Sequence, residues 1–443
     1  MKTAIASHLP DGSTELDALI KEARRRQRRR YLTTCLCVVA VIAGAVAVVS
    51  GTGARDRPGP PGRHPGPAAP PAATRPKSPP SQGPILAGSD TTLVTWPVGY
   101  PAFGPGFAPS AYVDDLGTGR LSQHQIPGIA GCDCNPYVIS TGRWLVYVGA
   151  GGVAAIRPDL QGRPRVLGAT AFFAPSAAPG HVWLVRFHGY LGQPPIRVQS
   201  VQIAAGPPGP VIKLPPGAVN LVEGTSAGLL LETERRLAHG YTFNGVALWN
   251  PGSAPVGLPY SPAWGDGFAA DARLIAYGTG CRIAVTAGDA GYDACHTLRV
   301  LDVVTGRVVS VAAPSGTAGW LPFGFNRVSA ISPRDNMIAA YSAVLPRRDS
   351  GFPARLLKTR AVPIGSARLY VIRLANAHVR ATSVPSAAAQ IAHTAWSVMG
   401  SWLLYQGPGG HLFAYQPTSG KTRSSSTPCC QAEVMVTAPS HSG

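Results

Sequence analysis

A short apolar phrase recurs along residues 85–443 and limits the fold more than any other feature. Each copy runs an apolar stretch into Tyr or Trp, crosses a loop, resumes as a second apolar stretch and closes on a turn. Residues 144–148 (WLVYV) lead to 153–156 (VAAI) and a turn at 159–162. Residues 274–277 (LIAY) lead to 298–302 (LRVLD), 337–341 (MIAAY) to 369–372 (LYVI), and 402–405 (WLLY) to 412–415 (LFAY). Weaker copies begin at 92–96 (TLVTW), 182–185 (VWLV) and 228–231 (GLLL), which makes seven, spaced about 40 to 60 residues apart. Such a period marks a repeat architecture. Apolar runs of about four to six residues between Gly, Pro, Ser and Asp turns, with no long helical period, predict an all-β body.

Seven four-stranded units of this length fit a seven-bladed β-propeller, in which each sheet buries its faces against its neighbours around a central channel. Residues 331–336 (ISPRDN), just before MIAAY, resemble the "SPDG" phrase of TolB-like and WD40-like propellers. Residues 302–307 (DVVTGR) resemble the outer-hairpin turn of the same group. The resemblance covers roughly residues 89–427. It implies that a propeller face binds partners or ligands, and it implies no fixed reaction.

The N-terminal stretch says where such a body sits. Seven of the ten residues 21–30 (KEARRRQRRR) are cationic, and the twenty that follow (YLTTCLCVVAVIAGAVAVVS) carry no charge. Twenty apolar residues at about 1.5 Å each span the roughly 30 Å bilayer core. Basic flanks stay cytoplasmic. The expected organisation is a cytoplasmic tail (1–30), a single transmembrane helix (31–50), a linker (51–84), an extracellular propeller (85–430) and a C-terminal tail (431–443). A cleaved signal peptide is the competing reading, with Ala45-Val46-Ala47 as a cleavage-like triplet, but the apolar run exceeds a usual signal core. Eleven of the 34 linker residues are proline, which favours an extended spacer. Basic flank, proline-rich linker and propeller together resemble the membrane-anchored propellers of actinobacteria.

The net charge is +18, and residues 85–443 hold 26 cations against 16 acids. A basic exterior attracts anionic wall polymers or headgroups, while a GC-rich coding bias explains the same arginines. Nucleic acid is not an expected partner for a body outside the cell.

Of eight cysteines, Cys35 and Cys37 lie in the apolar run and six lie beyond it. An even count in an oxidising compartment points to bridges. Cys281 and Cys295 flank one loop between adjacent strands and are expected to bond. Cys132-Asp133-Cys134 and Cys429-Cys430 are each too tight to pair internally. Cross-pairing would tie the last repeat to the second; a four-thiolate metal site is the rival.

Candidate chemistry is thin. Residues 224–228 (GTSAG) match a nucleophile phrase but precede a strand rather than a helix. Residues 420–422 (GKT) lack the first glycine of a phosphate loop. No paired His cluster or metal motif appears, no cofactor is expected, and His124, His181 and His188 read as surface or core groups. Glycoside chemistry needs two carboxylates across the bond; Asp114, Asp115, Asp133, Asp266 and Asp271 are the loop acids that could line a face. Trp249, Tyr260, Trp264, Trp320, Phe323 and Phe325 lie beside Gly/Pro loops, where they form a recognition patch or plug the junctions between blades. The sequence therefore predicts a membrane-tethered, non-enzymatic module for a protein or cell-envelope partner. An exported enzyme and a sensor signalling through residues 1–30 are the alternatives.

Overall fold

Alternating side chains, punctuated by glycine turns, make strands of most of the described chain. A computed structural model describes residues 83–96, 110–128, 138–149, 151–170, 172–187, 196–204, 206–237, 240–259, 268–286, 291–321, 330–334, 336–344, 362–364, 366–375, 378–384, 394–407, 411–428 and 434–440. Among these residues there is no helix long and apolar enough to cross a membrane. The expected span, 31–50, lies outside them.

The first strands are β1 (Thr92–Trp96), β2 (Ser110–Asp115) and β3 (Arg120–Gln125). A second set is β4 (Val138–Thr141), β5 (Trp144–Gly149), β6 (Gly152–Ile156) and β7 (Arg165–Gly168). A third is β8 (Phe172–Pro175), β9 (His181–Arg186), β10 (Arg197–Gln202) and β11 (Val211–Lys213). A fourth is β12 (Ala218–Thr225), β13 (Gly228–Leu237), β14 (Gly240–Trp249) and β15 (Val256–Gly257). Then come β16 (Phe268–Ala270), β17 (Leu274–Thr286), β18 (Gly291–Asp302), β19 (Val308–Ala312) and β20 (Thr317–Leu321). They are followed by β21 (Met337–Val344), β22 (Val362–Ile364), β23 (Ser366–Ala375) and β24 (His378–Ser383). The last are β25 (Thr394–Trp396), β26 (Leu403–Gln406), β27 (His411–Gln416), β28 (Lys421–Pro428) and β29 (Val434–Ala438).

Sets two, three and four each form a four-stranded antiparallel sheet in chain order, as does β25–β28. A nine-stranded sheet holds β16 to β24. Its two halves meet where Cys295 of β18 lies opposite Trp320 of β20 and where β22 runs parallel to the far end of β17.

The first sheet has the order β29-β1-β2-β3. Residues expected to form a C-terminal tail thus supply a strand, β29, registered on β1 from Thr92↔Ala438 to Trp96↔Val434. The physical reason is burial: Met435 and Ala438 are buried, and β29 covers an edge of β1 that would otherwise expose unpaired N–H and C=O groups.

Successive residues of a strand enter different cores. Leu145 packs toward the first sheet and Val146 toward the third. Leu231 packs toward the third and Leu230 toward β16–β17. Ile338 and Ala339 divide in the same way. Both faces of a strand are therefore apolar, which is why these segments read as continuous hydrophobic runs. Seven buried clusters result among the described residues, each between consecutive sets of strands. The seventh packs Leu404 and Ala414 of β26–β27 on Leu93 and Met435 of the first sheet, closing the cycle.

Candidate functional site

A polar cleft of about 500 Å³ opens where the first sheet faces the β6–β7 turn. Its volume lies in the range of ligand pockets, roughly 300–1,000 Å³. One wall is β3. Period-two geometry puts Arg120, Ser122 and His124 in one row, on the face that also carries Thr92 and Asp115. His124 Nε2 lies 2.9 Å from Ser122 Oγ, and that hydroxyl lies 3.4 Å from the Val113 carbonyl.

The β2–β3 turn sets the start of this row. Asp115 Oδ1 accepts the Gly117 and Thr118 N–H groups at 3.0 and 3.3 Å. A Cβ on Gly117 would come within 2.2 Å of the Ser89 carbonyl oxygen, so the close approach of residues 88–90 requires glycine there. The opposite wall is the β6–β7 turn. Leu160 adopts φ 57° and buries its side chain in the core between the first two sheets. That anchor leaves Asp159 and Gln161 on the cleft, with Asp159 Oδ1 accepting the Gln161 N–H at 3.0 Å. Asp90 and Ser440 complete the lining, and Ser440 Oγ lies 3.0 Å from Thr92 Oγ1.

Charge of both signs lines the cleft without pairing. Arg120 lies opposite Asp115 in register, the arrangement of a cross-strand ion pair. Asp115 instead caps its own turn, and no ion pair forms within the cleft among the described residues. The Ser122–His124 contact resembles a nucleophile with its base. Among the described residues no carboxylate hydrogen-bonds the His124 ring, the contact that would orient it in a triad.

The other expected site residues are dispersed. Asp114, expected on a loop, lies within β2 and is only 2% exposed, and its Oδ2 has no hydrogen-bond partner. It faces away from the cleft, and burial, helped by the Asp115 charge, pushes its carboxyl up to about 6. Asp271 caps the turn into β17, accepting the Arg273 and Leu274 N–H groups at 2.8 and 2.6 Å. Burial raises its pKa despite those bonds. It also raises the buried Glu223, with the Asp271 charge adding to the effect. Trp249 and Trp320 are not surface anchors. Both are buried between sheets, donating their indole N–H to the Ser253 and Val311 carbonyls at 3.0 Å each. Their bulk fills junctions that smaller residues would leave void.

A disulfide joins Cys281 to Cys295, directly opposed on β17 and β18. Cys132, Asp133, Cys134, Tyr260, Trp264, Asp266, Phe323, Phe325, Cys429 and Cys430 lie outside the described residues. Among the described residues no group of three His, Cys, Asp or Glu side chains could hold a metal ion. Sequence reasoning set His124 aside and passed over Arg120 and Ser122. The available signal was the polar run of β3, RLSQHQ, unlike the apolar runs of the strands around it.

Sheets stacked side by side, each buried on both faces, in a cycle closed by the two chain ends, define a β-propeller. The fold is similar to those of TolB-like and WD40-like propellers. TolB from Acinetobacter baumannii is 10% identical over 79% of this chain and 67% of its own, with a TM-score of 0.35. Apo AztD from Citrobacter koseri is 11% identical over 77% and 83%, with a TM-score of 0.40. The β-propeller domain of Cps50 (Swd1) from Myceliophteria thermophila is 10% identical over 69% and 91%, with a TM-score of 0.38. No family model and no curated protein matches the chain.

Proposed function

We propose that this protein is a non-enzymatic binding module, a seven-bladed propeller held at the cell membrane by residues 31–50, with its body outside the cell. Its partner is a protein or a cell-envelope component, and it docks at the cleft between the first two sheets. The cleft carries this reading: ligand-sized, with polar groups on both walls, and flanked by two turns that are each capped by an aspartate. The blade count takes the nine-stranded sheet as two four-stranded blades, β16–β19 and β20, β21, β23 and β24, with β22 as a short bridging strand on β17, and with one buried cluster between them. The disulfide supports an oxidising compartment, and the uncharged run behind a basic flank supports the anchor.

The test is a photo-crosslinking residue at Thr118 or Gln161 in intact cells, with Val304, on the exposed β18–β19 turn, as the control position. A partner captured from the cleft and not from the control supports the reading. Equal capture at all three positions, or none, overturns it.

A further inference from the structure

We propose that the cleft takes a zwitterionic ligand, a short peptide end whose carboxylate sits on the Arg120–Ser122–His124 row and whose ammonium meets Asp159 and Asp90. The proposal rests on the binding reading above and names its ligand class. It starts from the unpaired charges. Arg120 is exposed and makes no ion pair among the described residues, although Asp115 lies beside it in register. Asp115 Oδ1 is held by two backbone N–H groups of its own turn, so the guanidinium stays available. Its fork of donors suits a carboxylate. Ser122 and His124 extend the row along β3 with further polar atoms, already hydrogen-bonded to each other at 2.9 Å.

The facing wall has the opposite character. Asp159 lines the cleft, and its Oδ1 accepts the Gln161 N–H. Asp90, in the loop that leads into β1, adds an exposed carboxylate at the first sheet's end of the cleft. Neither is neutralised by a cation among the described residues. A purely anionic ligand would leave these acids facing it, and a purely cationic one would face Arg120. A ligand bearing one charge of each sign satisfies both walls. Among the described residues no Phe, Tyr or Trp lines the cleft.

The experiment uses the full-length chain in detergent micelles and four probes: trialanine with free ends, N-acetyl-trialanine, trialanine amide, and the doubly capped peptide. Titration is followed by ligand-observed NMR. Each lost charge-assisted contact should weaken binding about tenfold. Arg120→Gln should abolish the difference between acid and amide. Asp159→Asn should abolish the difference between free and acetylated amine. Both variants should melt with the parent. Equal binding of all four probes overturns the proposal. So does undetectable binding of the free peptide when cleft crosslinking in cells persists, and in that case the binding reading survives. Loss of both peptide binding and cleft crosslinking removes the two together.

Discussion

At the residue scale, Asp114 is the most telling position. Its carboxyl moves from 3.8 in the unfolded chain to about 6 in the fold. The folded chain therefore binds this proton more tightly, so the group's contribution to stability is greatest below about pH 4 and is lost as pH rises to about 6. The full effect at neutral pH is ~3 kcal/mol. Asp114→Asn keeps the shape without the charge. It should raise the urea midpoint at pH 7.5 by the equivalent of about 1–3 kcal/mol and leave pH 4 nearly unchanged. A variant less stable at both pH values would mean that the carboxylate has a partner. Gly278 is the second such residue. A Cβ there would sit 2.2 Å from Cys295 Sγ. Gly278→Ala should cost about 1–3 kcal/mol by overpacking, read as a lower melting temperature. Neither position announces itself in the sequence. Asp114 stands in AYVDD, where paired acids suggest a solvated turn, and only the sheet shows that one of them turns inward.

At the element scale, the β17–β18 hairpin explains what was legible and what was not. Two apolar runs flanking a Gly- and Asp-rich loop, each carrying a cysteine, specify both the hairpin and its cross-link, because in-register residues of an antiparallel pair sit close together. Replacing both cysteines by serine should remove about 3 kcal/mol in the chain-entropy account of a loop this short. The parent should show a similar loss in reductant, and the double variant none. The tryptophans illustrate the opposite case. Trp249 and Trp320 border loops in the sequence, and proximity to a Gly or Pro does not say whether a ring points to solvent or into a junction. Strand β3 is harder still. Its value lies in facing a turn about 40 residues further on, a relation that no local pattern encodes.

At the scale of the molecule, the repeat was readable because each sheet needs apolar residues on both faces, so the same phrase must recur. Closure was not readable. Residues 434–438 (VMVTA) lie some 340 positions from β1, and nothing near them marks their partner. Deleting residues 434–443 should uncover β1 and the cluster around Leu93, giving an insoluble or non-cooperatively melting protein. A soluble truncation with an unchanged melt would contradict the closed ring. Removing residues 1–82 should have the reverse outcome. The compact unit begins near Pro76, so a chain starting at residue 83 should stay soluble without detergent and melt with the full-length protein. A large drop in its melting temperature would count against a separable tether.

The shared first sheet also has a mechanical consequence. The chain enters it at Thr92 and leaves it after Ala438, and β3 of that sheet forms one wall of the cleft. A pull on the β3 wall of the cleft would run to Thr92 through hydrogen bonds that join the strands of one sheet, whereas a pull on the β6–β7 wall would have to cross the packed junction between the first two sheets.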